Sequence, residues 1–240
     1  MLSKNAIYLL NERYCLPGES PEEVFRRTAE GIAQGDKKFE EKIYNYMTNG
    51  IFLPNSPCLF NAPQGNLHAC YTLEVQDNIH SIFNTVSNMA YIFKSGGGVG
   101  VNFSPLREKD SPISQGGTSS GALSFMGIFD NVVDTVKQGG KRRGALMGIM
   151  NYNHPEIFDF IKIKLTGKLQ NFNLSIMVND DFMKMANDPI NKNGLIALNS
   201  PKNGIVGYAK ARDIFDLICF ASWCNGDPAL LFFDRINQDN

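Results

Sequence analysis

Apolar positions recur at helical spacing through the first fifty residues, then give way to short apolar runs separated by longer helical stretches. Ser3 precedes a short segment with Ile7 and Leu10 on one face. Ser20-Pro21-Glu22-Glu23 brings together a capping hydroxyl, a proline at the first helical position and a carboxylate at the third, the combination that starts a helix. Val24, Phe25, Thr28, Ala29 and Ile32 follow on one side. A third helix is predicted over residues 36–50, with Phe39, Ile43, Tyr46 and Met47 as its apolar stripe.

From residue 70 the pattern alternates. Strands are predicted over residues 70–75, 99–103, 145–150, 173–178 and 229–233. Helices are predicted over 78–94 (Ile79, Ile82, Phe83, Val86, Ala90 and Phe93 inward), 120–137 (Ala122, Phe125, Phe129, Val132, Val133 and Val136 inward), 155–163 with Pro155 at N1, 180–186, and 211–225 closed by Gly226. Residues 195–199 add a small hairpin piece. Strands alternating with helices predict a parallel sheet with right-handed crossovers. Apolar strands such as Ala229–Phe233 suggest burial on both faces. The fifth strand lies close to Asn240, and a buried parallel sheet does not usually leave an edge open. The pattern alone therefore leaves two architectures: a complete open sheet with a covered edge, or half of a barrel.

Composition narrows the function. With 23 Lys and Arg against 24 Asp and Glu, the net charge of −1 gives no electrostatic reason for a nucleic-acid or membrane partner. No apolar run is long enough to cross a bilayer, and residues 1–5 carry no signal-peptide core. Five cysteines, at 15, 58, 70, 219 and 224, form no CxxC pair, which argues for a reducing cytoplasm rather than a disulfide framework or a zinc site. Cys15, Cys58, Cys219 and Cys224 read as structural. His68, His80 and His154 have no metal-ligand spacing, and no metal site is expected in the chain.

Four segments carry a more specific signal: Leu53-Pro54-Asn55-Ser56-Pro57-Cys58-Leu59-Phe60-Asn61-Ala62; Ala69-Cys70-Tyr71-Thr72-Leu73 followed by Asp77; Ser95-Gly96-Gly97-Gly98-Val99-Gly100-Val101-Asn102-Phe103-Ser104-Pro105-Leu106-Arg107; and Gln138-Gly139-Gly140-Lys141-Arg142-Arg143-Gly144-Ala145-Leu146-Met147-Gly148. Each is weak alone. The glycines at 96–100 follow a helix and open a strand, the reverse of a dinucleotide-binding turn. In this order and at these intervals the four resemble the ribonucleotide reductase large (catalytic) subunit family, most closely its adenosylcobalamin-dependent class. The resemblance covers nearly the whole chain. It implies an α/β fold: a helical N-terminal region (residues 1–52), then the first five-stranded half of a ten-stranded α/β barrel (residues 53–240).

The same resemblance assigns roles. Cys70 is implied as one of two redox thiols that deliver electrons and protons when a ribose 2′-hydroxyl is replaced by hydrogen. Ser56, Ala69 and Gly98 would bind substrate, Ser56 at its phosphates and Gly98 by close backbone approach. Ser56 also reads simply as part of a turn fixed by Pro54 and Pro57. Asp77, Asn78, Arg107, Lys141 and Arg142 would bind an allosteric deoxynucleoside triphosphate at a dimer interface, although Asp77 can equally be a helix cap and Arg107 a solvated charge. The Gly-, Ser- and Pro-rich loop 108–118 and the basic loop 138–144 would adapt to effector and substrate base.

The family's radical-forming cysteine lies in an Asn-Pro-Cys-Gly-Glu-like segment after the fifth strand, and no such segment occurs here. A split enzyme is therefore expected, with a C-terminal companion chain supplying that loop, the second redox cysteine and the rest of the barrel. A piece of a longer chain would read the same. The assembled unit would use adenosylcobalamin, a ribonucleotide and a thioredoxin-like reductant. Three rivals stay open at this point: a non-catalytic effector-binding subunit, half of a diiron-dependent reductase, and a plain α/β interaction module.

Overall fold

Capping chemistry sets the first elements. In the computed structural model, which describes residues 2–114, 116–136, 144–188 and 194–240, the Ser3 hydroxyl accepts from the Ala6 amide and starts α1 (Lys4–Arg13). Ser20 and Glu23 form a reciprocal capping box at the head of α2 (Pro21–Ala33). Asp36 accepts from Lys38 and Phe39 to start α3 (Lys37–Thr48), and Asn55 caps the short α4 (Ser56–Asn61). Leu10, Val24, Phe25, Ala29, Ile43, Met47 and Leu59 make one apolar cluster. The predicted stripe of α3 is partly wrong. Phe39 and Tyr46 face outward, while Glu40 is buried and paired with Lys37 at 2.8 Å. Its carboxylate lies under its own lysine, which lets a charge occupy a position that pattern alone gives to an apolar side chain.

Two compact units result, the first formed mainly by Met1–Tyr71 and the second mainly by the chain from Thr72 onward. A five-stranded sheet runs in chain order: β1 (Cys70–Leu73), β2 (Gly98–Asn102), β3 (Leu146–Asn151), β4 (Phe172–Val178) and, at the far edge, β7 (Ala229–Phe232). The β2–β3, β3–β4 and β4–β7 pairs are all parallel, with Val99 opposite Leu146, Leu146 opposite Phe172 and Ser175 opposite Ala229. The connections are α5 (Ile79–Lys94), α6 (Ala122–Thr135), α7 (Ile157–Lys162) with a 3-10 turn at Ile163–Thr166, α8 (Asp180–Asn187) and α9 (Ala211–Asn225). A short α10 (Phe233–Ile236) follows β7. Gly148 at the centre of β3 has a packing reason: a Cβ there would lie 2.8 Å from Met126 and 2.9 Å from the Phe172 ring. Phe103, Phe129 and Phe172 meet edge to face around this spot.

Several expectations need correcting. Core contacts of α5 come from Ile82, Thr85, Met89 and Phe93, while Ile79 and Phe83 are exposed. The helix carries two apolar stripes, and only tertiary packing decides which is inward. Pro155 lies in a turn before α7 rather than inside it. The hairpin is larger than expected: β5 (Leu195–Ser200) pairs antiparallel with β6 (Gly204–Lys210), and its largely exposed β6 gives no clean alternation. β7 is only half-buried, with Phe232 exposed, because among the described residues β4 is its one neighbour. Cys219 and Cys224 are exposed rather than structural, whereas Cys58 is buried as expected. No helix among the described residues is long and apolar enough to cross a membrane.

Candidate functional site

The turn after β1 is held by side chains before α5 begins. Asn78, not Asp77, caps the helix: its Oδ1 accepts from the Ser81 amide at 2.8 Å. The Gln76 amide donates to Ser81 Oγ at 2.9 Å, and Thr85 Oγ1 donates to the Glu74 carbonyl at 2.7 Å. With the cap supplied by Asn78, the Asp77 carboxylate is free for another partner. Arg107, beyond the end of β2, takes both oxygens: its backbone amide donates to Oδ1 at 3.1 Å and its Nε to Oδ2 at 2.7 Å. Arg107 Nη1 also donates to the Pro112 carbonyl at 3.2 Å, which folds the following loop back over the pair. In that loop Asp110 and Ser119 pair through backbone hydrogen bonds, as do Ser119 and Ser111.

A cleft of about 560 Å³ opens here, walled by Asp77, Asn78, Ile79, Arg107, Ser119 and Phe125 among others. Three residues that the sequence flags for one ligand, Asp77, Asn78 and Arg107, thus line one cavity. A larger cleft of about 910 Å³ alongside α6 and α7 contains none of the flagged residues, and its cations Lys109, Lys162 and Lys168 face the acids Asp130, Asp134 and Asp159. The smaller cleft has the better claim, because its polar groups converge and hydroxyls and an apolar ring share its wall.

Beneath the loop lies a buried polar block that the sequence pattern shows only as a helix start. His154 is buried; its Nδ1 accepts from the Glu156 amide at 3.1 Å, so Nε2 carries the proton and donates to the Leu106 carbonyl at 2.9 Å. Burial pushes the His154 pKa down. The Glu156 carboxylate accepts from the Ala122 amide at 2.7 Å, capping α6 from a distant part of the chain where Gly121 offers no side chain. Burial raises the Glu156 pKa to about 7. A raised carboxyl contributes stability that is fully present below the unfolded value of 4.5 and is lost as pH rises toward about 7. The shift corresponds to roughly 3 kcal/mol. Glu156→Gln keeps an oxygen for Ala122 and has no proton to lose. Urea unfolding at pH 4.5 and 7.5 is expected to show wild type losing roughly 3 kcal/mol more than the variant. The His154 contribution runs the opposite way but is common to both proteins. Equal pH slopes would refute this account of Glu156.

The other flagged residues are placed as follows. Cys70 is the first residue of β1 and is an exposed free thiol. Ala69 precedes it and is half-buried. Ser56 opens α4, with its Oγ 3.1 Å from the Tyr14 hydroxyl. Gly98 is buried at the start of β2, directly after α5 and its glycines, as the sequence order requires. Lys141 and Arg142, with the rest of the loop up to Arg143, lie outside the described residues. Two residues near the cleft carry no signal in the sequence. Glu108 holds the hairpin turn, and Lys202 Nζ lies 4.0 Å from Asp77 Oδ2. Both depend on a long-range contact that no local pattern encodes.

Comparison with known proteins decides the family. The profile described as "Ribonucleotide reductase, all-alpha domain" matches residues 1–66, and "Ribonucleotide reductase, barrel domain" matches residues 68–240. The chain belongs to the ribonucleotide reductase large-subunit family. Among reductase relatives, the "Vitamin B12-dependent ribonucleoside-diphosphate reductase" of Thermoplasma acidophilum is 47% identical over 209 residues, 85% of this chain and 26% of that protein. Its namesake from Mycobacterium tuberculosis is 38% identical over 259 residues, covering 100% of this chain and 37% of that protein. The chain therefore spans between about a quarter and two-fifths of these relatives. The "Actinobacillus ureae class Id ribonucleotide reductase alpha subunit" superposes with a TM-score of 0.77 at 24% identity, over 99% of this chain and 41% of that one. At that identity it supports the reductase fold alone.

Proposed function

We propose that this chain forms the front part of an adenosylcobalamin-dependent ribonucleotide reductase, contributing one redox thiol and the effector cleft while a C-terminal companion completes the barrel. The observation that carries this reading is Cys70: a free, exposed thiol on the first residue of β1, in a sheet whose other edge, β7, pairs only with β4 among the described residues. Cys219 and Cys224 are exposed as well, so it is the place of Cys70 at the head of β1, together with its exposure, that singles it out. The names of the two relatives support cobalamin as the radical source and a ribonucleoside diphosphate as substrate.

In this reading Cys70 and a second thiol on the companion are the reductant. The substrate C2′–O bond breaks and the hydroxyl leaves as water, with a thiol supplying the proton. The two sulfurs give up two electrons to the substrate and end joined as a disulfide. An external dithiol, such as a thioredoxin-like protein, restores them by exchange. Ser56 and Ala69 are proposed at the substrate phosphates and Gly98 beside the ribose. Asp77, Asn78 and Arg107, with Lys141 and Arg142, are proposed to bind a deoxynucleoside triphosphate effector in a dimer of the assembled unit, coupling two nucleotide sites reciprocally. Adenosylcobalamin would supply the radical that opens the reaction. Charged side chains interrupt the walls of both clefts described above, Lys109, Asp134 and Lys162 in the larger and Asp77 and Arg107 in the smaller, so neither offers a corrin an unbroken apolar face. We place the cofactor on none of these residues.

The test is reconstitution. The chain is mixed with a candidate companion carrying an Asn-Pro-Cys-Gly-Glu-like segment, adenosylcobalamin, a ribonucleoside diphosphate and a dithiol. Deoxynucleotide formed only by the complete mixture is the expected result. Activity that needs an iron-loaded subunit in place of cobalamin would replace the cofactor assignment, and none under any condition would overturn the reading.

A further inference from the structure

The β5–β6 hairpin turn is fixed against the loop that Arg107 begins. Ser200 Oγ donates to Glu108 Oε2 at 2.7 Å and accepts from the amides of Lys202 (3.3 Å) and Asn203 (3.1 Å). Asn203 Nδ2 donates to Glu108 Oε1 at 3.2 Å and to Ser111 Oγ at 2.9 Å. Ser200 and Ser111 are buried, so this is an anchored junction and not a surface contact. Adjacent residues of one loop therefore face two ways: Arg107 toward Asp77, Glu108 toward the hairpin. The turn is thereby held with the Lys202 ammonium 4.0 Å from Oδ2 of Asp77, one of the residues that wall the cleft.

The Lys202–Asp77 contact is too long and too open to be a structural pair. Lys202 is 53% exposed, and ion pairs of that kind contribute little to stability. Asp77 is already satisfied by Arg107 through two hydrogen bonds. Lys202 thus keeps its three donors for something else. Two carboxylates, Asp77 and Glu108, and two cations, Arg107 and Lys202, meet here; Asp77 is taken by Arg107 and Glu108 by Ser200 and Asn203, so the Lys202 ammonium is the charge left to meet an anion.

We infer that the hairpin turn is part of the nucleotide cleft, with Lys202 donating to phosphate oxygens of the bound nucleotide and Glu108 acting as the positioning residue that holds the turn. The inference rests on the nucleotide reading of the Asp77–Arg107 cleft and extends it to a segment remote in sequence. Occupancy moves Lys202 from a loose contact with Asp77 to charge-assisted hydrogen bonds with phosphate.

Calorimetry on this chain, alone and mixed with its companion, with dATP and dTTP and with the matching deoxynucleosides, tests it. Lys202→Met is expected to raise the Kd of the triphosphates about tenfold, leave the deoxynucleosides unchanged and weaken the salt dependence of binding. Lys202→Arg is expected to retain most of the affinity. Glu108→Ala and Asn203→Ala, which break the junction from opposite sides, are expected to weaken triphosphate binding while Lys202 is intact and to add little to Lys202→Met. Thermal melts of each variant confirm folding. If wild type binds neither triphosphate, alone or with its companion, the nucleotide reading of the cleft fails, and this inference with it. If wild type binds and Lys202→Met binds as well, the hairpin assignment alone fails. Losses that multiply in the double variant refute the positioning role of Glu108.

Discussion

Cys70→Ser is expected to reduce deoxynucleotide formation by the reconstituted enzyme to the level seen without enzyme, while effector binding and the melting temperature stay at wild-type values. The argument is one of electron supply. Replacing a C–O bond by C–H consumes two electrons, and in the proposed chemistry they come from two sulfurs that end as a disulfide. A serine oxygen occupies nearly the same space but cannot give up an electron to form that bond. Because Cys70 is exposed, the substitution removes no core packing, so lost activity cannot be charged to lost structure. Cys58→Ser is the matched control. That thiol is buried, donates to the Leu67 carbonyl at 3.4 Å, and has its pKa raised by burial. Its replacement is expected to cost stability and spare the reaction. Deoxynucleotide formation that survives Cys70→Ser with an external dithiol present would remove Cys70 from the chemistry.

Elements with local chemistry are legible in the sequence. The Ser20–Glu23 box fixes the start of α2 through two reciprocal hydrogen bonds, and Gly226, at φ +85°, ends α9 where a side chain would be strained. Gly96 and Gly97 lie between α5 and β2 and Gly98 opens the strand, in the order that the flanking apolar patterns predict and opposite to that of a dinucleotide turn. Legibility ends where a partner lies far along the chain. Asp77 reads equally well as a cap or a ligand. Only the fold shows Asn78 taking the cap and Arg107, thirty positions away, taking the carboxylate. Ile79 and Phe83 match a core stripe as well as Ile82 and Met89 do, and three-dimensional packing chooses between them. Lys202 gives no signal at all, because its place depends on Glu108 ninety-odd residues earlier. Glu156 hides for the same reason: it caps a helix that begins thirty-four positions before it.

Arg27→Met is expected to destabilise the N-terminal unit by about 3 kcal/mol, the low end of the cost of leaving one charge of a buried pair alone, because this pair is only partly buried. All five guanidinium N–H groups are used. Nε and Nη2 form a fork on the Glu19 carboxylate at 2.7 and 2.9 Å. Nη1 donates to the carbonyls of Leu59 (3.1 Å) and Ala62 (2.8 Å), and Nη2 also donates to that of Tyr14 (3.3 Å). One side chain on α2 thus ties together the loop after α1 and the end of α4, with the arginine 12% and Glu19 11% exposed. Lysine cannot reproduce this fork, so Arg27→Lys is expected to recover only a minor part. Hydrogen bonding from Arg27 lowers the Glu19 pKa. A lowered carboxyl contributes stability above its unfolded pKa and loses it as pH falls through the folded one, so the wild-type advantage over Arg27→Met is expected to shrink in acid. Glu19→Gln in the Arg27→Met background removes the stranded charge and is expected to return part of the loss, a coupling that a double-mutant cycle in urea reads directly. A single-variant cost below about 1 kcal/mol, or losses that simply add, would show that the fork is no more than a surface ion pair.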